Sequence, residues 1–182
     1  MQTGAARLSG SAARCSPLRV PLKCRSCATV RTCLCSPRLD TIFTFQASSG
    51  ASVVAPGSPA CKHELALYLA GNWRALRFRP GLLAAADAAA RLDVTLLQHH
   101  VLEPIFGVAD PRTSDRINFI GGIRGTAELE NLVNSGSYAC AFSMFPTGID
   151  DLMAIADAGQ IMPPKSTWFE PKLRDGMFCH MI

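Results

Sequence analysis

Two short stretches hold residue types that can grip an anion. The first is Gly121-Gly122-Ile123-Arg124-Gly125, which follows a strand-like run and precedes a helical one. Glycines let backbone N–H groups approach a ligand, and a helix start adds partial positive charge. Arg124 offers a guanidinium that can bind phosphate or carboxylate in a two-pronged way. The loop is neither a P-loop nor a G-x-G-x-x-G fingerprint. The same residues also fit a tight strand-to-helix turn whose glycines serve backbone geometry alone. The second stretch is Lys165-Ser166-Thr167, set between Pro163-Pro164 and Trp168-Phe169. A cation and two hydroxyls in a proline-fixed bend can hold an anion. Equally, the hydroxyls can make local turn bonds and leave the lysine solvated.

Ligands gather where strand ends meet helix starts. We therefore expect Arg124 and Lys165 to converge on one small anionic ligand that bears phosphate or carboxylate. The backbone of Gly121, Gly122 and Gly125 would lie beneath it, and Ser166 or Thr167 would add a neutral hydrogen bond. Binding without turnover is the expectation, because no acid/base pair stands out. Asp150 and Asp151 suit the positive end of a helix. Ser143 and Cys140 have no suggestive histidine apart from His180, far along the chain.

No metal and no cofactor are expected. His99 and His100 are adjacent, so on a helix they point about 100° apart and cannot chelate one ion. Cys24, Cys27, Cys33 and Cys35 invite a zinc reading, but the spacer between the pairs is shorter than zinc modules use.

The positioning elements follow from periodicity. Leu65, Leu67 and Leu69 alternate with Ala66 and Tyr68, and Trp73 to Arg79 follows Gly71-Asn72, which reads as a hairpin. Leu82 to Ala90 is Ala-rich and helix-compatible. Asp93 is a suitable N-cap for a helix to about Phe106, with Leu96, Leu97, Val101, Leu102 and Ile105 on one face and Pro104 ending or kinking it. Asp110-Pro111-Arg112-Thr113 is a turn. Arg116 to Ile120 reads as a short strand, and a helix from Thr126 buries Leu129, Leu132 and Val133. Tyr138 to Phe145 is apolar on both faces, as a central strand is. Thr147 can cap the next helix, whose buried face is Leu152, Met153, Ile155 and Ala156 and whose end is Gly159. Met177 to Ile182 reads as a last strand. The fold class is α+β or α/β, with a mixed sheet, an N-terminal hairpin and alternating helices, preceded by a disordered tail.

Met162-Pro163-Pro164-Lys165-Ser166-Thr167-Trp168-Phe169-Glu170-Pro171-Lys172-Leu173 resembles the carboxyl-terminal signature of domain-of-unknown-function family 1015. Asp110-Pro111-Arg112-Thr113, Phe119 to Gly125, and Phe145-Pro146-Thr147 through Asp157-Ala158-Gly159 resemble the same family in the same order. The resemblance implies that residues 61–182 are the C-terminal part of such a domain. Family members carry upstream a Gly-His-His-Arg-type box, similar to the phosphate-binding region of the ParB-like fold, which this chain lacks. Two other readings stay open: a purely structural or partner-docking subdomain, and a truncated gene product.

Charge separates the ends of the 182-residue chain. Residues 1–39 hold seven basic residues and no acid; removing these from the eighteen basic residues leaves eleven against fourteen acids, a net of −3 for residues 40–182. A mildly acidic body has no basic stripe for nucleic acid. Residues 1–60 read as a basic Ser/Arg/Cys-rich tail outside the fold, of transit-peptide composition or the product of a misplaced gene start. The expected location is cytoplasmic, or a mitochondrion or plastid if residues 1–40 are a transit peptide. No apolar run is long enough for a membrane helix. An open edge at the hairpin would invite self-association.

Overall fold

The computed structural model of the chain describes residues 14–15, 19–23, 37–45, 57–84, 87–163, 166 and 169–170. β4 (Glu64–Leu69) and β5 (Asn72–Phe78) form the hairpin that the alternation predicts. Its two-residue turn is Ala70-Gly71, one position before the expected Gly71-Asn72. Both turn residues have positive φ, 50° at Ala70 and 81° at Gly71, the signs a type I′ turn requires. Asn72 explains the shift: its side-chain amide donates to Ala70 O at 3.1 Å. β6 (Cys140–Met144) is buried at all five positions and pairs with β4.

The chain before residue 60 contributes to the fold, contrary to expectation. β2 (Arg19–Leu22) pairs with β6, and β3 (Phe43–Phe45), which follows α1 (Pro37–Ile42), pairs with β5. Val20, Leu22 and Phe43 are all core residues. Strands this short carry too little alternation to be seen in sequence. The sheet order is β2-β6-β4-β5-β3 with every pair antiparallel. The fold is α+β, and the expected mixed sheet is antiparallel throughout among the described strands. The hairpin lies in the sheet interior rather than at an open edge; β2 and β3 are the edges. Pro21 suits an edge strand because it has no N–H to donate to a further partner. β1 (Arg14–Cys15) and β7 (Phe169–Glu170) make a separate two-stranded ladder.

One sheet face is covered by α2 (Asp93–Leu97) and its π-helical continuation Gln98–Leu102. Leu96, Leu97, Val101 and Leu102 bury the predicted face against Phe142, Leu67 and their neighbours. Pro104 accounts for the widened turn: it lacks the N–H that a regular helix would give to His100 O. The ladder instead closes with Glu103 N to Gln98 O at 3.0 Å and Phe106 N to Val101 O at 3.3 Å. The other face is covered by α3 (Gly125–Asn134), with Leu129 fully buried beside Tyr68 and Ala141. Tyr68 Oη donates to Asn134 Oδ1 at 3.1 Å and Trp73 Nε1 to Glu130 Oε1 at 2.7 Å, so two side chains tie this helix to the hairpin. α4 (Ile149–Asp157) ends in the expected left-handed glycine: Gly159 N bonds Ala156 O and Gln160 N bonds Ile155 O.

Five local expectations are corrected. Asp93 is the first residue of α2 and Leu92 its N-cap; the Asp93 carboxylate accepts from His63 instead. Arg116 to Ile120 is not a strand; Ile117 makes a lone bridge to Leu22. The Ala-rich segment forms a 3-10 turn at Pro80–Leu83, then a turn at 88–91. Thr147 does not cap α4: Gly148 is the N-cap, and the Thr147 hydroxyl donates to Ser166 O at 2.9 Å. Among α4 residues, Met153 is exposed and Ile155 alone is buried. The expected strand at 177–182 and the four-cysteine group lie outside the described residues. No helix among the described residues is long and apolar enough to cross a membrane.

Candidate functional site

The glycine loop is a 3-10 turn at Gly122–Arg124 leading into α3. Gly125 is at φ 70°, and a Cβ there would meet nothing within 4 Å, so glycine serves backbone conformation rather than space. No side chain caps the start of α3. The Arg124 guanidinium is 69% exposed and faces Glu128 Oε1 at 3.9 Å. An anion arriving here would compete with that carboxylate. Ser166, by contrast, is buried: its hydroxyl donates to Pro163 O at 2.6 Å. Its carbonyl is taken by Thr147, so Ser166 fastens the loop rather than offering a donor. Lys165 and Thr167 lie outside the described residues, and convergence of Arg124 with Lys165 therefore stays an expectation.

A concave site among the described residues lies elsewhere. A cavity of about 550 Å³ opens between α2 with its π-helical continuation, the Ala109–Arg112 turn, Phe119, and the residues Val20, Met144 and Pro163. None of Gly121, Gly122, Arg124, Gly125 or Ser166 lines it. Thr95 and Gln98 stand three apart on the helix and so share a face. Both belong to the wall, and both carry a buried oxygen, Thr95 Oγ1 and Gln98 Oε1, without a hydrogen-bond partner. Gln98 Nε2 donates to Val108 O at 2.7 Å and to Ala109 O at 3.1 Å, which holds the following turn against the helix. At the rim, the predicted turn is in place: Asp110 accepts from Arg112 N at 2.9 Å and from Arg112 Nε at 3.2 Å. Those bonds hold the Asp110 carboxyl below its ordinary range and raise Arg112. Sequence reading singled out the turn but not Thr95 or Gln98. The available signal was two polar residues bordering an otherwise apolar helical stripe.

Among the described residues, a group of titratable side chains gathers at the start of β4. His63, at φ 65°, gives its N–H to both Asp93 oxygens at 3.2 Å, and its Nδ1 lies 2.9 Å from Asp93 Oδ1. Burial pushes the Asp93 carboxyl up, against the opposing pull of His63 and Lys62. Lys62 pairs with Asp151. Arg77 meets both Glu64 Oε1 at 3.0 Å and Cys61 Sγ at 3.1 Å. A histidine oriented by a carboxylate is one half of a nucleophilic site, but among the described residues its ring bonds Asp93 and no hydroxyl or thiol. The group joins β4 to α2, β5 and α4, which is a fastening role. His99 and His100 behave as helix-surface histidines: His99 is 3.8 Å from Glu103, and burial together with His99 lowers His100. Among the described residues no three His, Cys, Asp or Glu side chains gather to hold a metal.

Comparison with known proteins leaves the site to its own geometry: no protein-family model, no curated protein and no solved structure matches the chain.

Proposed function

We propose that this chain is a small-molecule-binding domain without turnover. The observation that supports it is the cavity of about 550 Å³ between α2 with its π-helical continuation and the Ala109–Arg112 turn. Its volume lies inside the range of about 300–1,000 Å³ that small-molecule sites occupy. Kinship with domain-of-unknown-function family 1015, with residues 61–182 as its C-terminal part, belongs to the same proposal and rests on the four resembling stretches. One of these, Asp110 to Arg112, lines the cavity. A cytoplasmic setting, or a mitochondrion or plastid if residues 1–40 are a transit peptide, is proposed with it.

A phosphate or carboxylate at the start of α3 is the second reading. It is favoured by the uncapped helix start and the exposed Arg124 guanidinium. Thermal shift on the full chain separates the two. Small aromatic probes should raise Tm, and Val94→Trp, which fills the cavity, should abolish the rise. Inorganic phosphate should raise Tm only if the α3 start binds it, and Arg124→Ala should then cancel that rise. If neither probe shifts Tm, the binding proposal fails in favour of a structural or partner-docking subdomain.

A further inference from the structure

The mouth of the cavity narrows the class of ligand, on the reading that the chain binds a small molecule there. We infer that the ligand is an apolar carboxylate, with its body in the cavity and its carboxylate at the mouth on the free edge of the Arg112 guanidinium. Arg112 lines the cavity. A guanidinium has five N–H groups. Arg112 gives Nε and one hydrogen of Nη2 to Asp110, each at 3.2 Å. Among the described residues its Nη1 pair and the second Nη2 hydrogen meet no acceptor, and they form the two-pronged edge that fits a carboxylate. Asp110 fixes that edge without blocking it, because it grips the neighbouring Nε–Nη2 edge. Asp110 itself is nearly used up: Oδ1 accepts from Arg112 N and Nε, and Oδ2 from Nη2.

A second donor stands beside the first. His99 also belongs to the lining and has a ring N–H in either tautomer. Its Nδ1 is 3.8 Å from Glu103 Oε2, beyond hydrogen-bond reach. At the mouth, donors are left over where the oxygens of the acid are nearly taken, so the complementary group is an acceptor. A carboxylate accepts at both oxygens, and its bonds to a guanidinium are charge-assisted. An ammonium group would meet the repulsion of the guanidinium and find little of Asp110 left. The position of Arg112 limits the desolvation penalty that a buried charge carries. Its side chain is 67% exposed, so the head group keeps contact with water while the body leaves it. Behind it, Val20, Val94, Leu97, Leu102, Phe119 and Met144 supply apolar wall. Solvent weakens the attraction at so exposed a pair. The body therefore supplies most of the affinity, and the head selects among ligands.

Calorimetric titration of the full chain with 2-naphthoate, 2-naphthamide and 2-(aminomethyl)naphthalene tests the inference. The three share an apolar body and differ in the head group. The carboxylate should bind about tenfold tighter than the amide, the margin that a charge-assisted bond holds over a neutral one, and the amine should bind more weakly than either. Salt should narrow the margin, because the guanidinium is exposed. Arg112→Gln should bring carboxylate and amide to equal affinity, while Val94→Trp should abolish binding of all three with the circular dichroism unchanged. Equal binding of carboxylate and amide to the unsubstituted chain, or tightest binding of the amine, overturns the carboxylate class and leaves the binding cavity standing. A margin that is kept in Arg112→Gln and lost in Arg124→Ala places the anion at the start of α3 and overturns the assignment to Arg112. No binding of any probe overturns both this inference and the small-molecule reading on which it rests.

Discussion

Ala70 occupies a left-handed backbone position at φ 50°, which costs a side chain with a Cβ about 1–2 kcal/mol. Asparagine tolerates that region, so Ala70→Asn should raise the unfolding free energy by about 1 kcal/mol. The urea midpoint at unchanged slope measures it, and a lowered midpoint would count against the turn geometry. Thr95 is a second place where stability is withheld. Thr95→Val keeps the branched shape and removes the buried, unpartnered oxygen, so it should stabilise the chain by about 1 kcal/mol; a loss of similar size would mean that the hydroxyl has a partner. Asp110 offers a pH-dependent test. Its carboxyl is depressed by Arg112, so its contribution is present above the ordinary carboxyl pKa and is lost as pH falls through the depressed value. Arg112→Ala should return Asp110 toward the ordinary range in a carboxyl NMR titration, and an unmoved Asp110 would contradict the turn bonds. These residue-level features were unevenly legible. Asp110-Pro111-Arg112 announced its own turn chemistry, whereas Gln98 looked like one more polar residue until its amide was seen to be pinned by carbonyls ten and eleven residues further on.

At the scale of elements, periodicity read well wherever a segment was long and amphipathic. The hairpin, the Leu96 to Leu102 stripe, the Leu129 helix and the all-apolar β6 were each visible for that reason. Caps read poorly, because a carboxylate or hydroxyl at a helix start can serve a distant partner as readily as its own backbone. Asp93 and Thr147 both did so: one holds His63, the other holds Ser166. The Asp93 link joins the first turn of α2 to the entry of β4, and three bonds converge on a single carboxylate there. Asp93→Ala strands the His63 amide in its left-handed position. The expected loss is about 2 kcal/mol, in the range for hydrogen bonds to a charged group, read from chemical denaturation. A change within about 0.5 kcal/mol, the scatter of ordinary surface substitutions, would show that the link holds nothing. The helix after the glycine loop stands where it was expected, but no strand precedes the loop. What sequence could not supply was whether Arg124 turns toward a site or toward solvent, and it stands exposed beside Glu128.

At the scale of the whole molecule, both edge strands of the sheet come from the part of the chain that composition alone assigned to a tail. Basic, serine-rich composition describes an average over residues 1–60, and the few apolar residues that enter the core, Val20, Leu22 and Phe43, are lost in that average. Deleting residues 1–45 should therefore bare the edges of β5 and β6 and uncover the Leu22 and Phe43 sites, leaving a chain that associates. Size-exclusion chromatography with a hydrophobic dye measures this, and a monodisperse, dye-free fragment would contradict the assigned sheet order. The same order imposes a sequence of events during synthesis. β3, β4 and β5 can pair as soon as residue 78 has emerged, since the hairpin and its outer neighbour are close in the chain. β2 emerges earlier still, but its ladder partner among the described strands is β6, and the exposed side of β4 waits for the same strand. At about 5–20 residues per second, the intervening residues take several seconds to arrive. Through that interval a half-built sheet and the apolar face of β2 are left uncovered together. The nascent chain is then a natural client for a chaperone that shields apolar surface until the last strand arrives.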